Sequence, residues 1–436
     1  MDAAIQFPIG KTTRWICVWL PAAHGGPMES LLRMEPTRAE GRARVAVFLP
    51  SAARYAAERN YVRAGHKNVA RLSPWLQKQL LLESEVVTAV LAEWTFPATE
   101  KFVQEIYWRT YWKGWMEKRP AAWTRWTEAV PRLRDGLRGE RRNAWEAACA
   151  SRTQIACLDA WASELVETGY LHNHARMWFA SIWIFTLKLP WELGAAFFYE
   201  HLLDGDAASN TLSWRWVAGL QTPGKTYLAR ADNIALYTEG RFAPSPGQIA
   251  TEAFAIAEEP LPKTEAWAED ELWTTSAKIN ADGRTGLWLH PEDLAAEVGE
   301  LSGEKFEAVN AAWPAGIATR AGWSEPVERW TQQALGDGAA RAGVHFGAEV
   351  AQNVTNDLAA ELTGWARDKN LRRVVAYRPF IGPWLDEGLA LERALGAAGV
   401  ALTWRRRAWD TQLFPHAGSG YFPFWERVKK ALARSP

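Results

Sequence analysis

Charged and polar side chains fall at helical spacing inside an otherwise apolar stretch, residues 171–216, and this pattern restricts the fold more than any other feature of the chain. Asp206, Asn210 and Trp214 follow one another at i, i+4 and i+8, so a helix places all three on one stripe. Arg176 precedes them on a second predicted helix. A buried arginine needs an acidic partner, because an unpaired buried charge is too costly, and the same segment supplies aspartates. The spacing predicts either a polar pocket between two helices or a structural ion pair in a helical core.

The same segment resembles the FAD-binding domain of the photolyase/cryptochrome family, whose pattern is roughly HN-R-x-R-M, a Trp, D-G-D-x-A-x-N and G-W-x-W. The resemblance implies an all-helical domain with FAD as its cofactor. It implies that Arg176 and Asp204 form an ion pair beside the isoalloxazine ring. It also implies that Asp206 contacts the flavin ring edge or the ribityl side and that Asn210 faces N5.

Tryptophans of this segment match the family's electron-transfer chain. Trp214 corresponds to the proximal member and Trp191 to the middle member, and Trp126 or Trp123 is the candidate for a distal surface member. Tryptophan accounts for 27 of the 436 residues, so most indoles must serve packing and not electron transfer. Trp214 is therefore our first candidate for electron transfer, and Trp191 is the second.

A second block, FVQEIYWRTYWKGW at 102–115, places Glu105, Trp108 and Arg109 at i, i+3 and i+4 on one helix face. It resembles the family's F-x-x-E-x-x-W-R-x-F segment. The resemblance implies that Arg109 belongs to the cofactor site. In members that repair cyclobutane pyrimidine dimers, the matching Glu bonds the base edge of the dimer and the matching Trp packs on the dimer.

Further positions match dimer contacts, namely Asn173, Met177 and Trp216, and Asn173 also matches a cofactor contact. Members that repair (6-4) lesions usually carry His-His where this chain has His172-Asn173, which favours the dimer type. The implied activity is that of a deoxyribodipyrimidine photolyase-like lyase. Such an enzyme uses blue or near-UV light and reduced FAD to transfer an electron to a dimer flipped out of DNA, with the catalytic roles here assigned to Glu105, Asn210, Trp191 and Trp214.

A third block, NVARLSPWL at 68–76, resembles the family's G-T-S-x-L-S-P-x-L phosphate-binding segment. The resemblance implies that Arg71, Leu72 and Ser73 bind the cofactor and that Tyr55 lies on its adenine side. The chain departs from the pattern in two places. Val69 and Ala70 replace a pair of hydroxyl residues, and His174 replaces an arginine that touches the DNA backbone in dimer photolyases.

These departures keep two further functions open. A cryptochrome-like blue-light sensor would reduce FAD in light without repairing DNA. A scaffold protein without flavin is the third reading, because a fold does not fix a function.

Composition describes a protein without an overall charge bias. Fifty basic residues balance fifty acidic ones, and 48% of residues are hydrophobic. Between Arg109 and Arg152, however, eleven Lys or Arg face five Asp or Glu, with tryptophans interleaved, which is typical of a surface that follows a phosphate backbone. A solvated helical hairpin has the same composition. The expected partner is DNA containing pyrimidine dimers.

Three cysteines, Cys17, Cys149 and Cys157, are too few for the four ligands of an iron–sulfur cluster and predict reduced thiols in the cytoplasm. No metal is expected. The longest uncharged apolar run, Met177–Leu187, is too short to span a bilayer. We expect a cytoplasmic monomer without a membrane segment.

The second half alternates short apolar runs with longer helical patterns, which indicates a parallel sheet. Strands are predicted at GLWLHP, AVNAAWP, GVHFG, RRVVAYR and VALTW. GLWLHPEDL resembles the first strand of the photolyase α/β antenna domain, which in most of the family precedes the flavin domain, so the order looks permuted. No antenna chromophore is assigned, because no glycine-rich phosphate fingerprint follows the first strand.

The predicted division is an N-terminal extension (1–36), a helical FAD-binding domain (37–246), a linker (247–283), a five-stranded parallel α/β Rossmann-like domain (284–425) and a C-terminal tail (426–436).

Overall fold

The computed structural model describes residues 34–222, 224–262, 284–418 and 420–432. The predicted N-terminal extension therefore lies almost wholly outside the described residues, together with Cys17. Much of the predicted linker also lies outside them.

The first half is helical, as predicted. Its α-helices are α1 (Arg38–Phe48), α2 (Tyr55–Glu58), α3 (Ser73–Gln77), α4 (Glu83–Glu93), α5 (Phe96–Glu117), α6 (Ala121–Gly136), α7 (Gly139–Cys149), α8 (Ala156–Thr168), α9 (Asn173–Ser181), α10 (Trp191–His201), α11 (Ala207–Val217) and α12 (Ala231–Tyr237). A π-helical turn, Ile182–Thr186, extends α9, and 3₁₀ turns cover Leu49–Arg54 and Ala64–His66.

Helix ends in this half follow local chemistry. Asp206 caps α11, where its carboxylate accepts a hydrogen bond from the Ala208 amide at 2.9 Å. α5 begins with Pro97 in its first turn, where a missing amide hydrogen costs nothing. α8 ends at Gly169, whose φ of +68° suits glycine. These signals fix where the two polar helices α9 and α11 begin.

The second half contains a five-stranded parallel sheet. Its elements are β1 (Thr285–Trp288), β2 (Ala308–Asn310), β3 (Trp313–Pro314), α13 (Ile317–Ala321), α14 (Glu325–Phe346), β4 (Glu349–Ala351), β5 (Val354–Thr355), α15 (Leu358–Asp368), β6 (Arg373–Tyr377), α16 (Pro383–Ala397), β7 (Ala401–Arg405), α17 (Ala408–Leu413) and α18 (Tyr421–Leu432), with a 3₁₀ turn at Phe414–His416. The strand order is β4-β2-β1-β6-β7, and β3 pairs separately with β5. All of these strand pairs are parallel. The predicted fold class, a helical domain followed by a parallel α/β domain, is confirmed.

One predicted strand is wrong. GVHFG, residues 343–347, lies at the end of α14 and the glycine that terminates it, and the strand β4 follows at Glu349. The run is only five residues long and continues the periodicity of the preceding helix, so a strand could not be told from a helix end by its apolar content.

The last helix, α18, packs on the helical region. Its buried face consists of Tyr421, Phe424, Trp425, Val428 and Ala431. The boundary predicted at residue 425, where a tail would begin, falls inside this helix. The Tyr421 hydroxyl donates to the Gln104 carbonyl of α5 at 2.7 Å, so the end of the described chain returns to the helical domain.

The two halves share one hydrophobic core. A single cluster of buried side chains runs from Trp75 and Tyr107 in the helical half to Leu287 and Trp384 in the α/β half. A second cluster, which includes Trp183 and Trp214, lies within the helical half. In the residues that the structure describes, no helix is both long and apolar enough to cross a membrane.

Candidate functional site

A cavity of about 480 Å³ opens in the helical half. Its volume falls in the roughly 300–1,000 Å³ range of small-molecule and cofactor sites. Of the predicted site residues, it is lined by Tyr55, Arg71, Leu72, Ser73, Glu105, Arg109, Asn173 and Met177. Residues of the three sequence blocks, far apart in the chain, thus meet around one cavity.

One wall comes from α5 and carries two ion pairs. The Glu105 carboxylate pairs with the Arg59 guanidinium, and Arg109 pairs with Glu83. Arg109 also donates to the side chain of Gln77 at 3.0 Å. Both acids are thereby engaged inside the protein, and the two arginines face the cavity.

The opposite wall comes from the segment before α3. Val69 and Ala70 line the cavity where the resemblance implied hydroxyl groups, and Ser73 begins the short helix α3. Arg71 adopts a φ of +53°, and its guanidinium lies 4.8 Å from the centre of the Tyr170 ring. On this side, the residues predicted to bind the cofactor therefore supply two side-chain hydrogen-bond donors, the Arg71 guanidinium and the Ser73 hydroxyl.

Arg176 and Asp204 form the predicted ion pair, and its place beside the flavin stays a prediction. The Arg176 guanidinium donates two hydrogen bonds to the Asp204 carboxylate, at 2.8 and 3.1 Å, and a third to the Leu171 carbonyl at 2.7 Å. Neither Arg176 nor Asp204 lines the cavity.

Asp206 and Asn210 are both buried at α11. The Asn210 amide donates to the Ala195 carbonyl at 2.8 Å. Asp206 accepts from Ala208 and from the Ser209 hydroxyl, and Lys113 lies 3.7 Å away. Burial opposes ionisation, but Lys113 and Arg109 hold the pKa of Asp206 below its usual value. The stripe predicted from i, i+4 spacing exists, but its residues do not line the cavity.

Trp108 has a different neighbour from the one that the sequence implied. Its ring stacks on Tyr421 of α18, with ring centroids 3.4 Å apart and an angle of 7° between planes, and it does not line the cavity. Trp216 stacks on the cavity-lining Tyr227 with centroids 5.7 Å apart. Of the three predicted α5 residues, only Glu105 and Arg109 therefore reach the cavity.

Trp214 lies in a dense aromatic cluster. It meets Trp183 edge-on at 6.3 Å and Phe198 at 5.1 Å, and the absence of a side chain at Gly194 makes room for both indoles. Trp183 was not among the predicted tryptophans. Trp191 is also buried, and the Arg215 guanidinium lies 5.7 Å from its ring centre.

Trp126 does not hold the surface position suggested for a distal tryptophan. It is 5% exposed, and its indole nitrogen donates to the Glu192 carbonyl at 3.1 Å, one residue after Trp191. Trp123 is half-buried, with its ring 4.9 Å from that of Trp126.

Sequence reasoning missed several cavity residues: Arg59, Asn60, Phe102, Tyr170, His172, His174, Tyr227, Leu228, Arg230, Asn233 and Tyr237. Five of them belong to TYLARADNIALY, residues 226–237, which supplies two tyrosines, an arginine and an asparagine in a short stretch without a family motif. His172 carries no charge near neutral pH, because burial and the neighbouring His66 lower its pKa to about 3.

The lining therefore suits a phosphate-bearing aromatic cofactor. It combines arginines, asparagines and a serine hydroxyl with tyrosine and phenylalanine rings. Among the described residues, no cluster of His, Cys, Asp or Glu has the arrangement of a metal site. The fold and the cavity are those of a protein that binds a cofactor of this chemistry.

Comparison with known proteins finds a match within the helical half of the chain. Residues 102–240 match the FAD binding domain of DNA photolyase. A deoxyribodipyrimidine photo-lyase of Streptomyces griseus is 31% identical over 188 residues, which cover 39% of this chain and 40% of that protein. Cryptochrome DASH of Idiomarina loihiensis is 29% identical over 203 residues, 45% of this chain and 43% of that protein. Residues 102–240 are therefore similar to the FAD binding domain of DNA photolyase, and FAD is the cofactor that this match indicates.

The chain spans about two fifths of the length of these curated relatives. Among solved structures, a cryptochrome of Synechocystis aligns over 46% of this chain and 43% of that chain, with a TM-score of 0.41 and 21% identity.

Proposed function

We propose that this protein is a light-dependent DNA repair flavoprotein that splits cyclobutane pyrimidine dimers. The observation that carries the proposal is the cavity of the FAD-binding domain, which gathers Glu105, Asn173 and Met177 with the residues expected to hold FAD. When bound and reduced, FAD supplies the light-excited electron that splits a dimer, and the separated bases give the electron back.

The residues of the chain divide this work. Arg71, Ser73 and Arg109 hold the cofactor through charge and hydrogen bonds, and Tyr55 packs beside it. Glu105 and Asn173 orient the base edges of the dimer, and Met177 supplies an apolar contact. Trp214 and Trp191 conduct electrons through the helical core. DNA containing pyrimidine dimers is the proposed partner.

The cluster around Trp214 suits electron conduction because it excludes water. Trp214 is 2% exposed and Trp183 is fully buried. Asn210, one helical turn before Trp214, presents an amide, which is a poorer proton donor than a carboxylic acid, and this favours an unprotonated reduced flavin.

The decisive experiment is repair of dimer-containing DNA, single- and double-stranded, by the reduced protein in light and in darkness. Repair in light alone supports the proposal. Glu105→Gln should lower the repair yield at equal FAD content, because its carboxylate contacts the dimer. Glu93→Gln, an exposed change on α4, is the matched control. Photoreduction of bound FAD without any repair would overturn the proposal.

A blue-light sensor is the second candidate, and one observation favours it. Trp108, expected to pack on the dimer, is covered by Tyr421 at stacking distance. The Glu105 carboxylate is also paired with Arg59. If these contacts persist when DNA is present, the protein would photoreduce FAD and leave dimers intact. Tyr421→Ala should then increase binding of dimer-containing DNA, whereas a repair enzyme with an open site should bind it no better after the change.

A further inference from the structure

The α/β domain has a defined place where a ligand would bind. In open parallel sheets, ligands bind outside the carboxyl ends of the strands, where the strand order reverses. Here the order reverses between β1 and β6. The chain itself closes this crevice, because His290 shares a hydrogen bond with the Tyr377 carbonyl at 2.7 Å, and the Glu292 carboxylate accepts from the Phe380 amide at 2.7 Å.

Two lysines of the helical domain enter the same crevice. Lys78 and Lys113 are 3% and 2% exposed. The Lys113 ammonium lies 3.5 Å from the centre of the Phe380 ring, and the Lys78 ammonium lies 5.3 Å from the centre of the Trp323 ring, close enough to Glu292 to act on its charge. The helical domain thus inserts two cations at the edge of the sheet where a ligand would otherwise bind.

Lys113 connects this crevice to the start of α11. Its ammonium lies 3.7 Å from the Asp206 carboxylate, and Asp206 caps α11. The same helix carries Asn210 and Trp214 one and two turns further on. A shift of Lys113 would therefore act on Asp206 first and on the predicted flavin residues of α11 next.

Charge balance makes this contact costly to break. Two buried ammonium groups face two buried carboxylates, Asp206 and Glu292. Burial raises the pKa of Glu292 to about 7 although both lysines oppose the change. Buried ions are tolerated only when they are paired, so loss of Lys113 removes a compensating charge from both carboxylates, while Arg109 still acts on Asp206.

We propose that Lys113 is a positioning residue of the flavin site. Seated in the crevice of the α/β domain, it fixes the place and the charge of Asp206, so that both domains set the electrostatic potential at FAD. The inference rests on the proposed function and on the predicted contact of Asp206 with the flavin. A cation close to the flavin stabilises the reduced, anionic form of the cofactor.

The test compares Lys113→Met, Lys113→Arg and Lys118→Met in the full chain. Lys118 also reaches the second half of the chain from the end of α5, through the Pro415 carbonyl, but in an exposed position, so it is the matched control. Lys113→Met should weaken FAD binding about tenfold or more and lower the midpoint potential of bound FAD. Lys113→Arg should restore the potential, and Lys118→Met should change neither quantity.

A double-mutant cycle covers the case in which Lys113→Met does not fold. Lys113→Met/Asp206→Asn replaces the ion pair by two uncharged groups and should fold better than Lys113→Met alone. Additive effects of the two changes on the midpoint potential would overturn the inference, and so would an unchanged potential in Lys113→Met protein that binds FAD. A wild-type protein that binds FAD but repairs no dimer refutes only the proposed repair activity.

Discussion

Arg176 and Asp204 are the residues of the predicted site whose geometry is best defined. The Arg176 guanidinium donates two hydrogen bonds to the Asp204 carboxylate and one to the Leu171 carbonyl. The Asp204 side chain is 6% exposed. We expect Arg176→Ala to lower the free energy of unfolding by about 2 kcal/mol, because it leaves a nearly buried carboxylate unpaired. Urea unfolding measures the change.

The control for that change is an exposed pair on α7. Arg142 and Glu146 lie at i, i+4 with about half of each side chain exposed. Arg142→Ala should cost less than about 0.5 kcal/mol. Equal costs for the two changes would mean that Arg176 contributes no more than a surface charge.

His290 gives the molecule an acid-sensitive component. Burial lowers the pKa of His290 to about 4, whereas the unfolded chain titrates near 6.5. Between these values the unfolded chain binds a proton that the folded chain does not, so the stability from His290 is present above pH 6.5 and is lost as the pH falls toward 4. The loss amounts to about 3 kcal/mol.

The measurement is the difference in unfolding free energy between pH 7.5 and pH 4.5, taken for wild type and for His290→Gln. The variant should lose less stability on acidification, since glutamine does not titrate. His345→Gln, an exposed change on α14, should behave like wild type. The same acid loss in all three proteins would contradict the assignment.

At the scale of elements, α18 is a structural helix. Val428 is fully buried, whereas Phe422 on the same helix is 68% exposed. We expect Val428→Asp to cost at least about 3 kcal/mol, because it buries a charge without a partner. Phe422→Asp should be close to neutral. Thermal unfolding of both variants separates a packed helix from a dispensable tail, for which the two changes would have equal effects.

Elements with strong local signals were predictable, and those defined by distant contacts were not. The i, i+4, i+8 stripe indicated the helix α11. An arginine among apolar residues indicated an acidic partner, and the family resemblance identified that partner as Asp204. The covering of Trp108 by Tyr421 joins residues 313 positions apart in the chain, and the sequence around Tyr421 carries no sign of its partner.

The residues of the candidate site also include some that the sequence placed and some that it did not. Helical spacing correctly placed Glu105 and Arg109 on one face toward the cavity, whereas Trp108, on the same face by spacing, turns to α18. Spacing also cannot say whether a polar stripe lines a cavity or supports it from behind. Asp206 and Asn210 do not line the cavity, and their polar groups contact Lys113 and the Ala195 carbonyl instead.

At the scale of the whole molecule, the two halves should unfold together. Besides the shared core, Glu117 at the end of α5 accepts from the Arg378 guanidinium and from the Ile381 amide, both at 3.3 Å. Its side chain is 5% exposed. Burial raises the pKa of this carboxyl, and Arg378 and the Ile381 amide oppose the rise.

We therefore expect hydrogen exchange of the wild-type protein in urea to show the same single unfolding transition for α9 and for β6. Glu117→Ala removes the contacts with the Arg378 guanidinium and the Ile381 amide. It should lower the urea midpoint for both probes or separate the two transitions. Lys369→Met breaks an exposed pair with Glu349 inside the α/β domain and should leave a single transition near the wild-type midpoint. Two transitions already in the wild type would mean that the shared core does not couple the domains. The α/β domain would then not hold Lys113 firmly enough to fix the position of Asp206.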